Sequence, residues 1–134
     1  MPRPRHVTPT PAELEVLKLL WERGASTVRE VMNDLNAIGP TRAYTSVMSL
    51  MNVMADKGLL ERSPQGRAFV YRPTVAEDRT LAGMLGELLQ KAFDGSANLL
   101  VSRLLEASSP TEAELAEIRK TLEKYRQDQK RGDA

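Results

Sequence analysis

The fold is decided between Thr41 and Pro73, where the chain reads TRAYTSVMSLMNVMADKGLLERSPQGRAFVYRP. The first part of this stretch repeats apolar residues at the i, i+3, i+4 and i+7 positions of one helix face, at Val47, Leu50, Met51 and Met54. The second part places aromatic and β-branched residues around a Pro/Gly turn at Ser63–Gly66, which is typical of a β-hairpin. We therefore predict a helix from Arg42 or Tyr44 to Lys57, capped by Thr41, and a two-stranded hairpin after it.

Two further helices are predicted upstream, because each begins with the sequence of a capping box. Thr10 is followed by Pro11 and Glu13, and Thr27 is followed by Glu30. Three short helices followed by a hairpin form the element order of a winged helix-turn-helix. We expect its core to contain the three apolar helix faces and six larger side chains, namely Trp21, Met32, Met51, Met54, Phe69 and Tyr71.

The rest of the chain reads as helix with apolar faces wider than three short helices can bury by themselves. The predicted fold class is therefore mainly α with a small β-hairpin wing, a winged helix-turn-helix (1–73) followed by a helical dimerisation region (74–134). Residues 126–134 are polar and are expected to fray. The residues assigned to dimerisation are Leu85, Leu88, Leu89, Leu100, Leu104, Leu115, Ile118 and Leu122.

Composition excludes several classes of function. The 134 residues include no cysteine and one histidine, so thiolate metal sites, histidine pairs and cysteine nucleophiles are excluded, and we expect neither a metal nor a cofactor. No apolar segment resembles a signal peptide or a membrane span, which favours a cytoplasmic protein. An enzyme is the least favoured class, because His6 has no acid, nucleophile or second ligand near it in the sequence.

The net charge of +1 is the average of two unlike parts. Residues 1–73 hold ten Lys plus Arg against seven Asp plus Glu, a charge of +3, whereas residues 74–134 hold nine against eleven, a charge of −2. A basic N-terminal part is compatible with nucleic acid, and an acidic C-terminal part suggests a separate role.

The outer face of the third helix has the composition expected of a helix that enters the DNA major groove. The side chains opposite the apolar face are Thr45, Met48, Ser49 and Asn52, with Arg42 and Tyr44 at the start of the helix. Asn can pair with adenine, hydroxyls reach phosphates or bases, and Met can touch a thymine methyl. No acidic residue lies between Thr41 and Ala55 to repel phosphate. The alternatives are a merely solvated helix face and a docking or scaffold module that binds protein.

Three arginines outside this helix are further candidates for contact with DNA. Arg67 follows Gly66 at the hairpin turn, where a wing would meet DNA, although a lone turn arginine is often only solvated. Arg3 and Arg5 could form a minor-groove arm or belong to a disordered tail.

Several motifs, taken in their order and spacing, resemble the penicillinase repressor family of BlaI, MecI and CopY type over about residues 8–125. They are Leu14–Leu17 leading to Leu20-Trp21, Thr27–Val31, Ala43–Ser49, Asp56–Leu60, Gly66-Arg67 leading to Tyr71–Pro73, Phe93–Ser96 and Glu114–Ile118. The resemblance implies a dimeric winged-helix repressor that binds an inverted-repeat DNA operator and is relieved by proteolysis. A membrane sensor metalloprotease, or a protease downstream of it, is the implied partner for this step.

The resemblance also implies roles for individual residues. The third helix of such proteins reads DNA, which carries over to Tyr44, Thr45, Ser46, Met48, Ser49 and Asn52, and the wing arginine matches Arg67. Three departures limit the transfer. Val53-Met54 stands where many members have Arg-Leu, and Arg103-Leu104 stands where the best-known members are cut at Asn-Phe. The absence of cysteine excludes the copper-responsive branch.

Overall fold

The computed structural model describes residues 8–133 and contains three helices, a hairpin and three more helices. This order confirms the predicted mainly helical winged helix-turn-helix. The elements are α1 Pro11–Arg23, α2 Val28–Ile38, α3 Tyr44–Asp56, β1 Leu60–Gln65, β2 Ala68–Pro73, α4 Glu77–Phe93, α5 Ala97–Ser108 and α6 Glu112–Asp133.

Both predicted capping boxes are present at the starts of α1 and α2. The Thr10 hydroxyl accepts from the Glu13 amide at 3.2 Å, and the Glu13 carboxylate accepts from the Thr10 amide at 2.9 Å. Thr27 and Glu30 make the same two bonds. The Thr27 amide is the main cause that lowers the pKa of Glu30 below its ordinary value. Each box satisfies backbone donors that the first helical turn leaves unpaired, which fixes where the helix begins.

Helix α3 begins at Tyr44, one of the two predicted starts, but the prediction that Thr41 caps it is wrong. The N-cap residue is Ala43, and no side chain of the described chain caps this helix. Instead, Asn36 at the end of α2 holds the backbone of Arg42: the Arg42 amide donates to Asn36 Oδ1 at 2.7 Å, and Asn36 Nδ2 donates to the Arg42 carbonyl at 3.3 Å. This clamp closes the turn between α2 and α3 and holds the backbone just before the N-cap residue.

The hairpin turn also lies later than predicted. Strands β1 and β2 are antiparallel, with Gln65 opposite Ala68, so the loop is Gly66-Arg67 and not Ser63–Gly66. Gly66 occupies the first central position with a φ of 63°, which glycine adopts without strain. Pro64 pairs with Phe69 inside the ladder. Proline is tolerated there because β1 is an edge strand.

The core of the winged part contains most of the predicted residues. The buried apolar side chains are Val16, Leu17, Leu20, Val28, Val31, Leu35, Val47, Met51, Met54, Leu59, Leu60 and Tyr71. Trp21 and Met32 pack against this cluster while remaining partly exposed, and Trp21 Nε1 donates to the Val75 carbonyl at 2.9 Å. The expectation that Phe69 is a core residue is wrong, because its side chain is 47% exposed.

A backbone bridge ties the loop before α2 to the wing. Ser26 and Tyr71 exchange two backbone hydrogen bonds, of 3.0 and 2.8 Å. Ser26 is buried, and its hydroxyl donates to the Gly24 carbonyl at 2.9 Å. Strand β2 is therefore held on both sides, by β1 and by this loop.

The chain divides into two compact units, of which the first ends at Glu87 and the second begins at Leu88. Helices α4 and α5, both fully described, contain no buried side chain. Helix α6 runs to Asp133, so residues 126–133 of the tail that is expected to fray are helical, and Ala134 lies outside the described residues. Among the described helices, none combines the length and apolar character needed to cross a membrane.

Candidate nucleic-acid interface

Helix α3 separates an inner face from an outer face. Val47, Met51 and Met54 are buried in the core. On the opposite side Thr45, Ser46, Met48 and Ser49 are exposed, and Asn52 is half-buried. Because the inner face anchors the helix in the core, the outer face is held at a fixed orientation. The placement follows from the helical spacing of the apolar residues.

The N-terminal end of α3 carries an aromatic ring and two arginines. Tyr44 is 40% exposed, and the guanidinium carbon of Arg29 on α2 lies 5.2 Å from the centre of its ring, within the range of a cation–π contact. Arg42 Nη2 donates to the Glu15 carboxylate at 2.6 Å. The predicted contact residue Arg42 therefore already has an acidic partner, whereas Arg29, which the sequence did not single out, joins this surface.

Asn52 connects α3 to the wing. Its Oδ1 accepts from Arg62 Nη1 at 2.6 Å and from the Tyr71 hydroxyl at 2.8 Å. Arg62 also lies over the Phe69 ring, with 5.4 Å between the guanidinium carbon and the ring centre. These four side chains form the Asn52 junction. No local sequence pattern predicts this junction, because its members come from three separate elements.

The wing presents two further arginines. Arg67 is exposed at the second position of the two-residue turn. Arg72 on β2 forms an ion pair with Glu61 on β1. Arg67 is therefore the basic side chain at the tip of the hairpin. Arg3, Arg5 and His6 lie outside the described residues.

An ion pair between a buried carboxylate and a partly exposed lysine connects α1 with the end of α3. Lys57 Nζ donates to both carboxylate oxygens of Glu13, at 3.0 and 2.8 Å, and the Glu13 side chain is almost completely buried. Burial acts to raise the pKa of Glu13, but the hydrogen bonds from Lys57 and Thr10, together with the positive charge of Lys57, lower it below its ordinary value. Glu13 therefore has a second role as a charged core residue, in addition to its predicted role in the capping box. The sequence did not reveal this second role.

The residues predicted for dimerisation lie on α4, α5 and α6. Leu85, Leu88, Leu104, Leu115 and Leu122 are exposed, and the half-buried members of the set are Leu89, Leu100 and Ile118. Arg103 and Leu104 lie within α5, and both are exposed. Arg103 Nη1 contacts the Glu106 carboxylate at 3.3 Å. No cluster of three potential metal ligands occurs among the described side chains.

A family model and two relatives found by sequence indicate the same family. The sequence model of the family described as "Penicillinase repressor" matches residues 9–124. The penicillinase repressor of Bacillus licheniformis is 27% identical over 115 residues, which cover 86% of this chain and 89% of that protein. The transcriptional regulator BlaI of Mycobacterium tuberculosis is 33% identical over 104 residues, covering 76% of this chain and 75% of that protein.

Among solved structures, this chain is similar to the solution structure of the DNA-binding domain of the repressor BlaI, with 30% sequence identity and a TM-score of 0.47. The match covers 52% of this chain and 83% of the BlaI domain. Since the family match spans most of the sequence, this chain belongs to the penicillinase repressor family, which consists of DNA-binding transcriptional repressors and not of enzymes.

Proposed function

We propose that this protein is a cytoplasmic transcriptional repressor that binds an inverted-repeat DNA operator as a homodimer. The observation that carries the proposal is the outer face of α3. This face is polar, free of carboxylates and fixed by the core behind it, and the Asn52 junction connects it to a wing with basic side chains. A surface of this kind suits a helix that enters the major groove, in a family of DNA-binding repressors.

Individual residues then have distinct roles in the complex. The side chains that face base edges are Thr45, Met48, Ser49 and Asn52. The side chains near the start of α3 that contact the DNA backbone are Arg42, Tyr44 and Ser46. Arg67 at the tip of the wing contacts phosphate, which positions the protein without selecting sequence. The electrostatic part of the binding is modest, because residues 1–73 carry a net charge of only +3, from ten basic and seven acidic residues.

We assign DNA binding to residues 1–73 and homodimerisation to residues 74–134. The exposed leucines of α4, α5 and α6 support the second assignment, because each of these helices leaves large apolar side chains exposed that a partner could cover. In the dimer, the two α3 helices enter successive major grooves about 34 Å apart. Two subunits double the contacts, which compensates for the modest charge of each one.

Relief of repression is proposed to occur by proteolysis within residues 74–134, at Arg103-Leu104 or near it. Both side chains are exposed on α5. A protease needs an extended substrate, so this part of α5 must unwind before cleavage. The implied partner is a membrane sensor metalloprotease or a protease downstream of it. Mass spectrometry of the protein recovered from induced cells should find two fragments, whereas an intact chain during derepression would exclude this mechanism.

A gel shift with the promoter region upstream of the protein's own gene tests DNA binding. We expect a complex that weakens as salt increases and a footprint with two-fold symmetry. Asn52→Ala and Arg67→Ala should both weaken it, whereas Arg119→Ala, which removes an exposed arginine from α6, should not. If no salt-sensitive complex forms, or if the first two variants bind as well as the unchanged protein does, the winged part is a protein-docking module instead.

A further inference from the structure

We infer that Asn52 presents only a hydrogen-bond donor to DNA, so that it selects a base with an acceptor and does not single out adenine. This inference rests on the proposed function. It replaces the simpler expectation, drawn from the sequence, that an asparagine on the outer face pairs with adenine through both ends of its amide.

The contacts of the amide fix its orientation. Arg62 Nη1 lies 2.6 Å from the terminal atom of Asn52 that faces it. A guanidinium has five donors and no acceptor, so this atom must be the carbonyl oxygen. The Tyr71 hydroxyl, 2.8 Å from the same oxygen, then donates to it as well. Both lone-pair directions of Oδ1 are occupied within the protein, and Nδ2 is the terminal atom that these two bonds do not use.

Of the two donors, Tyr71 is held in the core, whereas the exposed Arg62 side chain is supported by an aromatic ring. Tyr71 is buried, and its backbone exchanges hydrogen bonds with Ser26 in both directions. Arg62 lies over the Phe69 ring at 5.4 Å. Rotation of the Asn52 amide would place Nδ2 against the Arg62 guanidinium, where neither group can accept, and the Tyr71 hydroxyl proton would lose its acceptor. The junction therefore keeps its orientation when DNA binds.

An asparagine whose Nδ2 amine alone is available recognises bases differently from one whose Nδ2 and Oδ1 are both available. Adenine is recognised by an amide that donates to N7 and accepts from the exocyclic amine. With Oδ1 occupied, Asn52 can donate to N7 of adenine or guanine, to O6 of guanine, or to O4 of thymine. Cytosine is disfavoured at the contacted position, because it presents a donor there.

Selection of binding sites from randomised DNA duplexes tests the inference with the full-length protein. The position read by Asn52 is the one whose base preference disappears in Asn52→Ala and persists in Asn98→Ala, a matched change of an exposed asparagine on α5. At this position we expect cytosine to be depleted. A bidentate pair favours adenine over guanine by about 5-fold to 150-fold, and we expect the preference for adenine to be smaller than about 5-fold.

Removal of both donors should change the preference. In Arg62→Met/Tyr71→Phe, Oδ1 is free and adenine should gain about 5-fold or more over guanine at the same position. Tyr125→Phe, an exposed tyrosine on α6, is the control and should leave the preference unchanged. Fluorescence of Trp21 checks that the winged part of each variant is folded, and the comparison with Asn52→Ala decides the question if the double variant does not fold.

The outcomes separate the inference from the proposed function. Failure of the unchanged protein to enrich any sequence refutes both. An enriched site with a strong adenine preference at the position that depends on Asn52 refutes the inference and leaves DNA binding intact. An Asn52→Ala profile identical to that of the unchanged protein also refutes it, because Asn52 would then contact no base.

Discussion

The buried ion pair between Glu13 and Lys57 offers the sharpest test of what holds α3 in place. We consider Lys57→Met, which keeps most of the length and apolar volume of the side chain and removes its charge. Glu13 then loses two hydrogen bonds, of 3.0 and 2.8 Å, while its carboxylate remains buried. The variant therefore leaves a charge in the interior with only the Thr10 amide as a partner.

The expected loss in the free energy of unfolding follows from the distance between Lys57 Nζ and the Glu13 carboxylate and from the exposure of the two side chains. At 2.8 Å two unit charges attract by about 1.5 kcal/mol in water and by about 6 kcal/mol at an effective dielectric constant of 20. Removal of one partner from a fully buried pair costs about 3–5 kcal/mol. The Lys57 side chain is 32% exposed, so water screens part of the interaction. We expect Lys57→Met to lower the free energy of unfolding at pH 7 by about 2–3 kcal/mol.

The loss should depend on pH with a defined sign. The pKa of Glu13 is lowered in the folded protein, so its contribution is complete above the unfolded pKa and is lost as the pH falls through the folded pKa. Without Lys57, burial dominates and raises the pKa of Glu13. The variant then gains stability from protonation as the pH falls, while the unchanged protein loses it. The difference between the two should therefore shrink between pH 7 and pH 4.

Urea unfolding followed by the fluorescence of Trp21 measures this difference. Trp21 is the single tryptophan of the chain and lies in the same compact unit as the ion pair. Lys18→Met, at an exposed lysine on α1, is the matched control and should change the free energy of unfolding by less than about 0.5 kcal/mol. A loss for Lys57→Met as small as that of the control, or an equal loss at pH 7 and pH 4, would refute the reasoning.

Three other substitutions have expected outcomes. Arg67→Ala should reduce the slope of log K against log salt by about 0.9 per lost phosphate contact, measured by fluorescence anisotropy with labelled operator DNA; an unchanged slope would place Arg67 away from phosphate. Leu122→Glu should convert the dimer to monomer in sedimentation equilibrium while the Trp21 emission stays the same; a dimer that persists would exclude this leucine from the interface. Thr27→Ala should cost about 1 kcal/mol in urea unfolding, because α2 loses its capping hydrogen bond; a change below about 0.3 kcal/mol would show that the Glu30 bond suffices.

Local signals predicted the elements that local contacts specify. The starts of α1 and α2 were correct, because each capping box is complete within four residues of sequence. Helix α3 begins at Tyr44, one of the two predicted starts, but the predicted cap at Thr41 was wrong, because the contact that holds this turn comes from Asn36 on another helix. The hairpin turn was misplaced, since Ser63, Pro64 and Gly66 all favour turns and only the pairing with β2 shows which of them lies in the loop.

The candidate site shows the same division. The spacing of apolar residues placed Thr45 and Met48 on the outer face of α3. It did not reveal that Asn52 contacts Arg62, because that contact depends on how the wing packs. Phe69 and Tyr71 lie two residues apart and share one side of β2, yet only Tyr71 is buried. Phe69 is closer to the hairpin turn, beyond the end of the core, and alternation alone cannot show where a core ends.

The outer face of α3 also separates positions that are free to diverge from one that is not. Thr45, Met48 and Ser49 are exposed, so their exchange costs the fold little, and a new operator preference could evolve through them one substitution at a time. Asn52 holds the wing to the helix through two hydrogen bonds, so, under its proposed role in recognition, we expect a change there to alter recognition and architecture together. A library designed to retarget this protein should therefore randomise the three exposed positions and keep the asparagine.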